Sequence, residues 1–211
     1  PSSRVEESER DATHGLWGES VPARRLHRAV SRVAMDAQGS MRTLAVCVGG
    51  ASGTEKDRVA KAIHSMTGRG PFAALGPEDE DPDPALRGAL AGGTLYLRDC
   101  DHLQRSVRSS LYSIMSSGDQ KDMLLIIDCP GSRSLGFYPG HRIGAPDAFS
   151  GHLGLAIGSL NFLYLPDLRS RIADVPLLVN KTLERLGTDD FLDIRHHLAL
   201  WLSGQIARSR D

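Results

Sequence analysis

Continuous apolar runs alternate with helical periodicities along this chain. Three runs have the length and character of strands buried on both faces of a sheet, at 43–48 (TLAVCV), 94–97 (TLYL) and 123–128 (MLLIID), and a fourth apolar run lies at 162–165 (FLYL). Apolar residues spaced three or four apart predict helices at 16–34, before Gly68, and at 84–90, 103–114, 148–157, 175–186 and 191–206. Strands that alternate with helices predict an α/β fold with a parallel sheet covered on both faces.

Composition predicts three regions along the chain. Residues 1–14 are polar and charged, which is typical of a flexible linker. Residues 15–168 contain all four apolar runs and form the predicted α/β domain, while 169–211 form a short helical region. A chain of 211 residues, 40% of them hydrophobic, suits one such domain with a small appendage.

Charge and cysteine content narrow the classes of function. The formal net charge of −1 gives no electrostatic footprint for nucleic acid, so we expect no direct nucleic-acid binding. No apolar run has membrane-spanning length and no stretch resembles a signal peptide, which favours the cytoplasm and no membrane partner. The cysteines Cys47, Cys100 and Cys129 lie in or just after apolar runs and are predicted to be buried free thiols. No clustered His/Cys spacing occurs, so no metal site is predicted.

A glycine-rich turn follows the first apolar run and precedes a predicted helix, an arrangement that binds phosphates in parallel sheets. A working phosphate loop reads GxxxxGK[ST]. Its backbone N–H groups and its lysine bind phosphates, and its hydroxyl helps to hold Mg²⁺. Residues 50–57 (GASGTEKD) keep the first glycine and the lysine in register. The candidate phosphate-binding residues are Gly50, Ser52, Gly53, Thr54, Lys56 and Asp57.

Two positions of this loop depart from the working pattern. Glu55 replaces the glycine before the lysine, and Asp57 replaces the serine or threonine. A carboxylate a few ångströms from a phosphate costs on the order of several kcal/mol at moderate dielectric, which would abolish micromolar binding unless the side chain turns away. The sequence therefore predicts a degenerate phosphate loop.

Four stretches of the chain match the motifs of one known family in their order. They are residues 16–20 (LWGES), 50–64, 91–97 (AGGTLYL) and 165–178. Residues 16–20 resemble the opening segment of the AAA+ central domain of bacterial sigma-54-dependent transcriptional activators, and the other three are similar to its GESGTGKE…VARAIH, AAGGTLFL and LPPLRER…DIPLL. The resemblance implies a P-loop NTPase-like (AAA+) parallel sheet flanked by helices, with a short C-terminal helical lid.

The chain departs from this family where the resemblance places the ATPase machinery. The two acids that organise Mg²⁺ and activate water in the family are replaced by Arg98 and Asp99, which leaves Asp99 as a vestigial catalytic residue. Residues 76–84 contain nothing like the family's sigma-contacting loop, and Cys129 follows the third apolar run where the family has a sensor asparagine. Residues 149–157 contain none of the family's arginines. Without these groups the charge of phosphoryl transfer has little to stabilise it, so a pseudo-ATPase is predicted rather than an enzyme.

Glu55 and Arg98 carry opposite charges at positions that this fold places on either side of the metal site. One interpretation is that they form an ion pair, with Lys56 and Asp99 nearby, that fills the vacated nucleotide site, because buried charges are tolerable only when they are paired. The other interpretation is that both side chains point to solvent.

These observations predict a non-hydrolysing regulatory or protein-interaction module in bacterial transcription or signalling. Such a module needs no cofactor, and its partner is a protein or another domain of the same polypeptide. Two alternatives remain: a switch that binds ATP or ADP without hydrolysis, and a weak ATPase that drives sigma-54-dependent transcription with Lys56 and Asp99. Loss of the family's arginines predicts a monomer or dimer rather than a hexameric ring.

Overall fold

The structure, a computed structural model, describes most of the chain. The described residues are 15–39, 44–116, 123–130, 160–185, 200, 201 and 204. The predicted linker 1–14 and the predicted helix 148–157 lie outside them, as does most of the predicted helix 191–206.

The described elements follow the predicted alternation of strands and helices. The helices are α1 (Val21–Gly39), α2 (Lys56–Thr67), α3 (Asp83–Leu90), α4 (Arg105–Ser116) and α5 (Val175–Arg185), with short 3₁₀ helices at Cys100–His102 and Leu168–Asp174. The strands are β1 (Leu44–Gly50), β2 (Phe72–Leu75), β3 (Thr94–Leu97), β4 (Leu124–Pro130) and β5 (Leu160–Tyr164). Helix α2 ends where Gly68 adopts a left-handed conformation, the usual role of glycine at this position.

The five strands form one parallel sheet in the order β2-β3-β4-β1-β5. This confirms the predicted fold class, a parallel sheet flanked by helices. β1 and β4 lie inside the sheet, and Ala45–Val48 and Leu124–Ile127 are at most 3% exposed. Their continuous apolar character follows from burial on both faces.

The strand β2 was missed by the sequence prediction. It lies at one edge of the sheet, and only Leu75 of its four side chains is buried. An edge strand needs no continuous apolar run. The four residues FAAL also lie between two Gly-Pro dipeptides, which predict turns and leave only a short stretch for a strand.

A hydrophobic core packs between one face of the sheet and the helices α3 and α4. Alternate residues of each strand point to this face, because successive side chains of a strand project to opposite sides. Its buried members are Ala45, Cys47, Leu75, Leu86, Ala89, Leu95, Leu97, Cys100, Leu103, Val107, Leu111, Met123, Leu125 and Ile127.

Cys47 and Cys100 differ in whether their sulfur atoms are bonded. Cys100 is a buried free thiol, as predicted. Cys47 takes part in a disulfide, so the prediction of a free thiol is wrong at this position. Spacing along a sequence does not reveal which sulfur atoms a sheet brings within bonding reach, because disulfides depend on distance and direction in space.

The chain divides into two compact units. One contains the described parts of 29–165, and the other contains those of 1–28 and 166–211. The sequence prediction had assigned 15–168 to a single α/β domain, whereas the structure groups 15–28 with the C-terminal residues. Among the described residues, no helix combines the length and the apolar character that a bilayer crossing needs.

Candidate functional site

The candidate site lies at the edge of the sheet where the parallel strands β1, β3 and β4 end. β4 lies between the other two strands, and its Asp128 is opposite Val48 of β1. The loop after β1, Arg98 and Asp99 after β3, and Asp128 therefore share one edge. Open parallel sheets bind their ligands at this edge, next to the ends of the strands.

The loop after Gly50 keeps the compact form of a phosphate loop. Both the N–H and the hydroxyl of Thr54 donate to the carbonyl oxygen of Ala51, at 3.3 and 2.8 Å. Gly53 has a φ of +79°, which favours glycine, and a Cβ at Gly50 would come within 2.6 Å of the Thr54 hydroxyl. Ser52 and Gly53 are exposed. The structure thus brings four of the candidate residues together in one tight turn.

Glu55 adopts a left-handed backbone conformation directly before α2, with φ 60° and ψ 42°. Glycine enters this region freely, whereas a residue with a Cβ atom loses about 1–2 kcal/mol there. The Glu55 carboxylate lies 3.2 Å from the guanidinium of Arg58 and is well exposed. The backbone therefore has a conformation that favours glycine, and the Glu55 side chain is paired with Arg58 of α2.

Replacing Glu55 with glycine is expected to stabilise the chain by up to about 1 kcal/mol, because relief of left-handed strain outweighs loss of one surface ion pair. The free energy of unfolding in denaturant measures the effect. Glu55→Ala is the matched control, since it also loses the ion pair but keeps the Cβ atom. Equal stability of the two variants would contradict the strain.

Lys56, the first residue of α2, is bound by Asp128 at the end of β4. The ammonium nitrogen lies 2.7 Å from Asp128 Oδ1, and the two side chains are only 12% and 10% exposed. The ammonium also donates to the carbonyl oxygen of Gly50, at 3.4 Å. The group that would bind phosphate in a working loop is thus neutralised by a carboxylate of the chain itself. Sequence analysis missed Asp128, although an acid that ends a buried strand was the available signal.

The surroundings of Asp128 oppose its charge. Burial raises its pKa, Lys56 lowers it, the Asp99 carboxylate raises it and the Asp99 backbone amide lowers it, with a net rise. Burial and the carboxylates of Asp128 and Asp57 likewise raise the pKa of Tyr96 on β3. Asp128 therefore lies in a poorly solvated, acid-rich place, where Lys56 supports its ionised form.

Arg98 follows β3 and is held by the acidic turn after β2. Its guanidinium is paired with Glu78 and lies 3.9 Å from the carboxylate of Asp79. Asp79 also accepts the N–H of Gly76 at 2.7 Å, and the N–H of Arg98 donates to the carbonyl oxygen of Leu75 at 2.7 Å. Both the backbone and the side chain of Arg98 are thereby tied towards β2.

The predicted ion pair between Glu55 and Arg98 is wrong in its partners. Across the residues that the structure describes, no ion pair joins these two side chains. Each finds an opposite charge closer to its own backbone: Glu55 meets Arg58 one helical turn away, and Arg98 meets the acidic turn of the neighbouring strand. The ion pair at the phosphate loop is instead Lys56 with Asp128.

The residues at this edge do not fit the magnesium–nucleotide complex that the sequence resemblance to AAA+ domains implies. Lys56 is bound by a carboxylate, Asp57 stands where a hydroxyl should ligate the metal, and the Arg98 cation stands where an acid should. Asp99 is exposed, with a left-handed φ of 44°. In the described part of the chain, no group of three or more His, Cys, Asp or Glu converges as metal ligands.

The other unit contains a separate polar cluster around Asp174, at the end of the 3₁₀ helix. Asp174 Oδ1 accepts the N–H groups of Glu19 and Ser20, both at 2.8 Å, and Oδ2 accepts the Ser20 hydroxyl at 2.6 Å and Arg171 Nε at 3.0 Å. Arg171 also donates to the carbonyl oxygen of Trp17. Asp174 is 2% exposed and Arg171 8%. The cluster joins the LWGES stretch to the LPDLRSR stretch within this unit.

Comparison with solved structures finds chains with a similar fold. The chain is similar to NtrX from Brucella abortus, solved in complex with ATP, with a TM-score of 0.57 and 22% identity over 88% of this chain and 47% of that one. It is also similar to RuvB from Thermotoga maritima, a Holliday junction branch migration motor, with a TM-score of 0.53 and 15% identity over 81% of this chain and 52% of that one. The chain thus spans about half the length of these structures.

The match rests on structure alone. No protein-family model matches the sequence, and no curated protein matches it.

Proposed function

We propose that this chain is a degenerate AAA+ module that does not hydrolyse ATP and serves as a regulatory or protein-interaction module in bacterial transcription or signalling. One observation carries the proposal: Arg98 stands at the sequence position where the family that the chain resembles has a magnesium-side acid, and its guanidinium is paired with Glu78, near Asp79. An arginine cannot ligate the metal that phosphoryl transfer needs.

Two further features support the proposal. Lys56 is bound by Asp128, and Asp57 occupies the hydroxyl position of the loop. The fold itself, which needs no nucleotide chemistry to present its surfaces, remains intact.

The partner in this proposal is a protein or another domain of the same polypeptide, in the cytoplasm, and the chain is a monomer or dimer. A hexameric ring in light scattering would contradict that last part.

A nucleotide-binding switch without hydrolysis is the second candidate. The observation that favours it is the preserved turn from Gly50 to Thr54, with its glycine conformations and its position before the N-terminus of α2. Such a turn presents backbone N–H groups to an anion. The similar NtrX structure is a complex with ATP.

Incubation with ATP and Mg²⁺ is expected to release no phosphate, because Arg98 stands where a metal-side acid would be needed. Thermal unfolding with ATP or ADP separates the two candidates, since a ligand at a hundredfold excess over its Kd stabilises by about 2.7 kcal/mol. No shift favours the interaction module, and a shift without phosphate release favours the switch.

The matched control for this assay is Lys56→Met. Phosphate release that this substitution abolishes would come from the chain itself and would contradict the proposal in favour of a weak ATPase. Release that persists unchanged in Lys56→Met would come from a contaminating enzyme.

A further inference from the structure

Asp128 lies where it competes with a phosphate for Lys56. The 2.7 Å contact between its carboxylate and the ammonium uses the charge that a phosphate would need. Glu55, the acid that the sequence suggests as the obstacle, does not do this, since its carboxylate is paired with Arg58. The carboxylate that contacts Lys56 therefore comes from Asp128 on β4 and not from the phosphate loop.

The sheet holds Asp128 in this position. β4 pairs with β1 along the whole of Leu44–Gly50, with Asp128 opposite Val48. The backbone of Asp128 is thus fixed beside Val48, two residues before the phosphate loop begins at Gly50. Breaking the contact with Lys56 requires a change of side-chain rotamer and no change of the backbone.

An entering anion would leave the Asp128 carboxylate without its counter-ion. The Asp128 side chain is 10% exposed, and its carboxylate lies close enough to Asp99 and to the Tyr96 phenol for their charges to interact. A buried charge that loses its partner is strongly unfavourable. Repulsion between the carboxylate and the phosphate acts in the same direction, and both effects disappear when residue 128 is uncharged.

We propose that Asp128 is an autoinhibitory residue: its carboxylate closes the phosphate loop by binding Lys56, and loss of its charge opens the loop to a polyphosphate anion. The anion is either free pyrophosphate or the phosphate chain of a nucleotide. This inference rests on the proposed function, because it concerns binding by a module that does not hydrolyse. Opening the loop does not restore hydrolysis, since Arg98 remains at the end of β3.

The test uses Asp128→Asn in the 211-residue chain, which removes the charge and keeps the size of the side chain. Calorimetric titration with sodium pyrophosphate, and separately with ATP in the absence of Mg²⁺, is expected to show binding about 5- to 150-fold tighter than in the wild type, the range typical of coupled sites. Asp36→Asn, an exposed position on α1, is the matched control and is expected to bind as the wild type does.

The double variant Lys56→Met/Asp128→Asn shows whether the gain comes from this contact. The gain is expected to vanish in the double variant. If Asp128→Asn does not show a cooperative thermal transition, Asp128→Ser is titrated in its place. Unchanged affinity for both anions without the carboxylate, or a gain that persists without Lys56, would overturn the proposal. A gain for ATP alone supports it with a nucleotide as the source of the anion, and a gain for pyrophosphate supports it with the free anion.

Failure of this inference and failure of the proposed function give different results. Phosphate release by the wild type that depends on Lys56 contradicts the proposed function. An Asp128→Asn chain that binds neither pyrophosphate nor ATP more tightly than the wild type contradicts the autoinhibitory contact and leaves the absence of hydrolysis untouched.

Discussion

Replacing Asp174 with alanine is expected to lower the free energy of unfolding of its unit by about 3–5 kcal/mol, because it leaves the buried guanidinium of Arg171 without its carboxylate. The substitution also removes the acceptor of the Glu19 and Ser20 N–H groups and of the Ser20 hydroxyl. Hydrogen exchange at those two amides reports the effect locally, and the unfolding transition reports it globally.

Asp167→Ala is the matched control for this prediction. Asp167 precedes the same 3₁₀ helix and accepts the N–H of Ser170 at 2.8 Å, but this contact is exposed. A capping acid of this kind contributes about 1 kcal/mol. If Asp174→Ala cost no more than Asp167→Ala, the cluster would not hold the unit together.

The Asp174 cluster also sets a pH dependence. Burial raises the pKa of Asp174, but the hydrogen bonds from Ser20, Glu19 and Arg171 together outweigh it, so the pKa is lowered. Burial first, and then Arg171, lower the pKa of His27 against an opposing effect of Asp174. When the pKa of an acid or a histidine is lower in the folded state than in the unfolded state, the unfolded chain binds the proton first as the pH falls. The free energy of unfolding is then largest above the unfolded pKa and decreases as the pH falls through the folded pKa. The unit should therefore weaken on acidification, first as His27 and then as Asp174 binds a proton.

Replacing Gly93 with alanine is expected to destabilise the sheet unit by about 3 kcal/mol, because the added methyl group has no space. A Cβ atom there would overlap the carbonyl oxygen of Pro71, lie 2.9 Å from that of Gly88 and lie 3.2 Å from Ala89 Cα. All three are backbone atoms, which cannot rotate away. Hydrogen bonds from Gly93 N–H to Ala89 and from Leu124 N–H to Gly93 fix the residue on both sides.

Gly88→Ala is the matched control for Gly93→Ala. Gly88 lies inside α3, and a Cβ atom there meets only Pro71 Cγ, at 3.7 Å. Alanine in a helix interior is more stable than glycine by about 0.5–1 kcal/mol, so this substitution is expected to stabilise. Denaturant midpoints that moved in the same direction for both variants would refute the steric argument.

The fold could be predicted from the sequence because four of the five strands, including the edge strand β5, contain a continuous apolar run. The fifth, β2, was missed because it is only partly buried and its four residues FAAL are bounded by turn residues. The candidate loop was also predictable, since Gly50 and Lys56 keep their spacing, and the structure forms the tight turn that this spacing indicates.

The partners of the charged residues could not be predicted in the same way. The contact of Lys56 with Asp128 requires β4 to lie beside β1, and the order of strands in a sheet is not their order along the chain. Arg98 was placed at the correct strand end, but its carboxylates come from a turn that the sequence showed only as an acidic surface loop. Glu55 pairs with Arg58 and Arg98 pairs with Glu78, and these nearer partners take the place of the predicted contact between Glu55 and Arg98.

The acid excess at the ends of the strands has a consequence for the speed of encounters. Among the described residues around the candidate loop, three cations and six carboxylates take part in these interactions, namely Lys56, Arg58 and Arg98 with Glu55, Asp57, Glu78, Asp79, Asp99 and Asp128. The field of these described groups is negative, although the chain as a whole is close to neutral. Such a field slows the diffusional approach of anionic molecules and speeds that of basic peptide surfaces, and the bias fades as ionic strength rises and the screening length falls below about 10 Å.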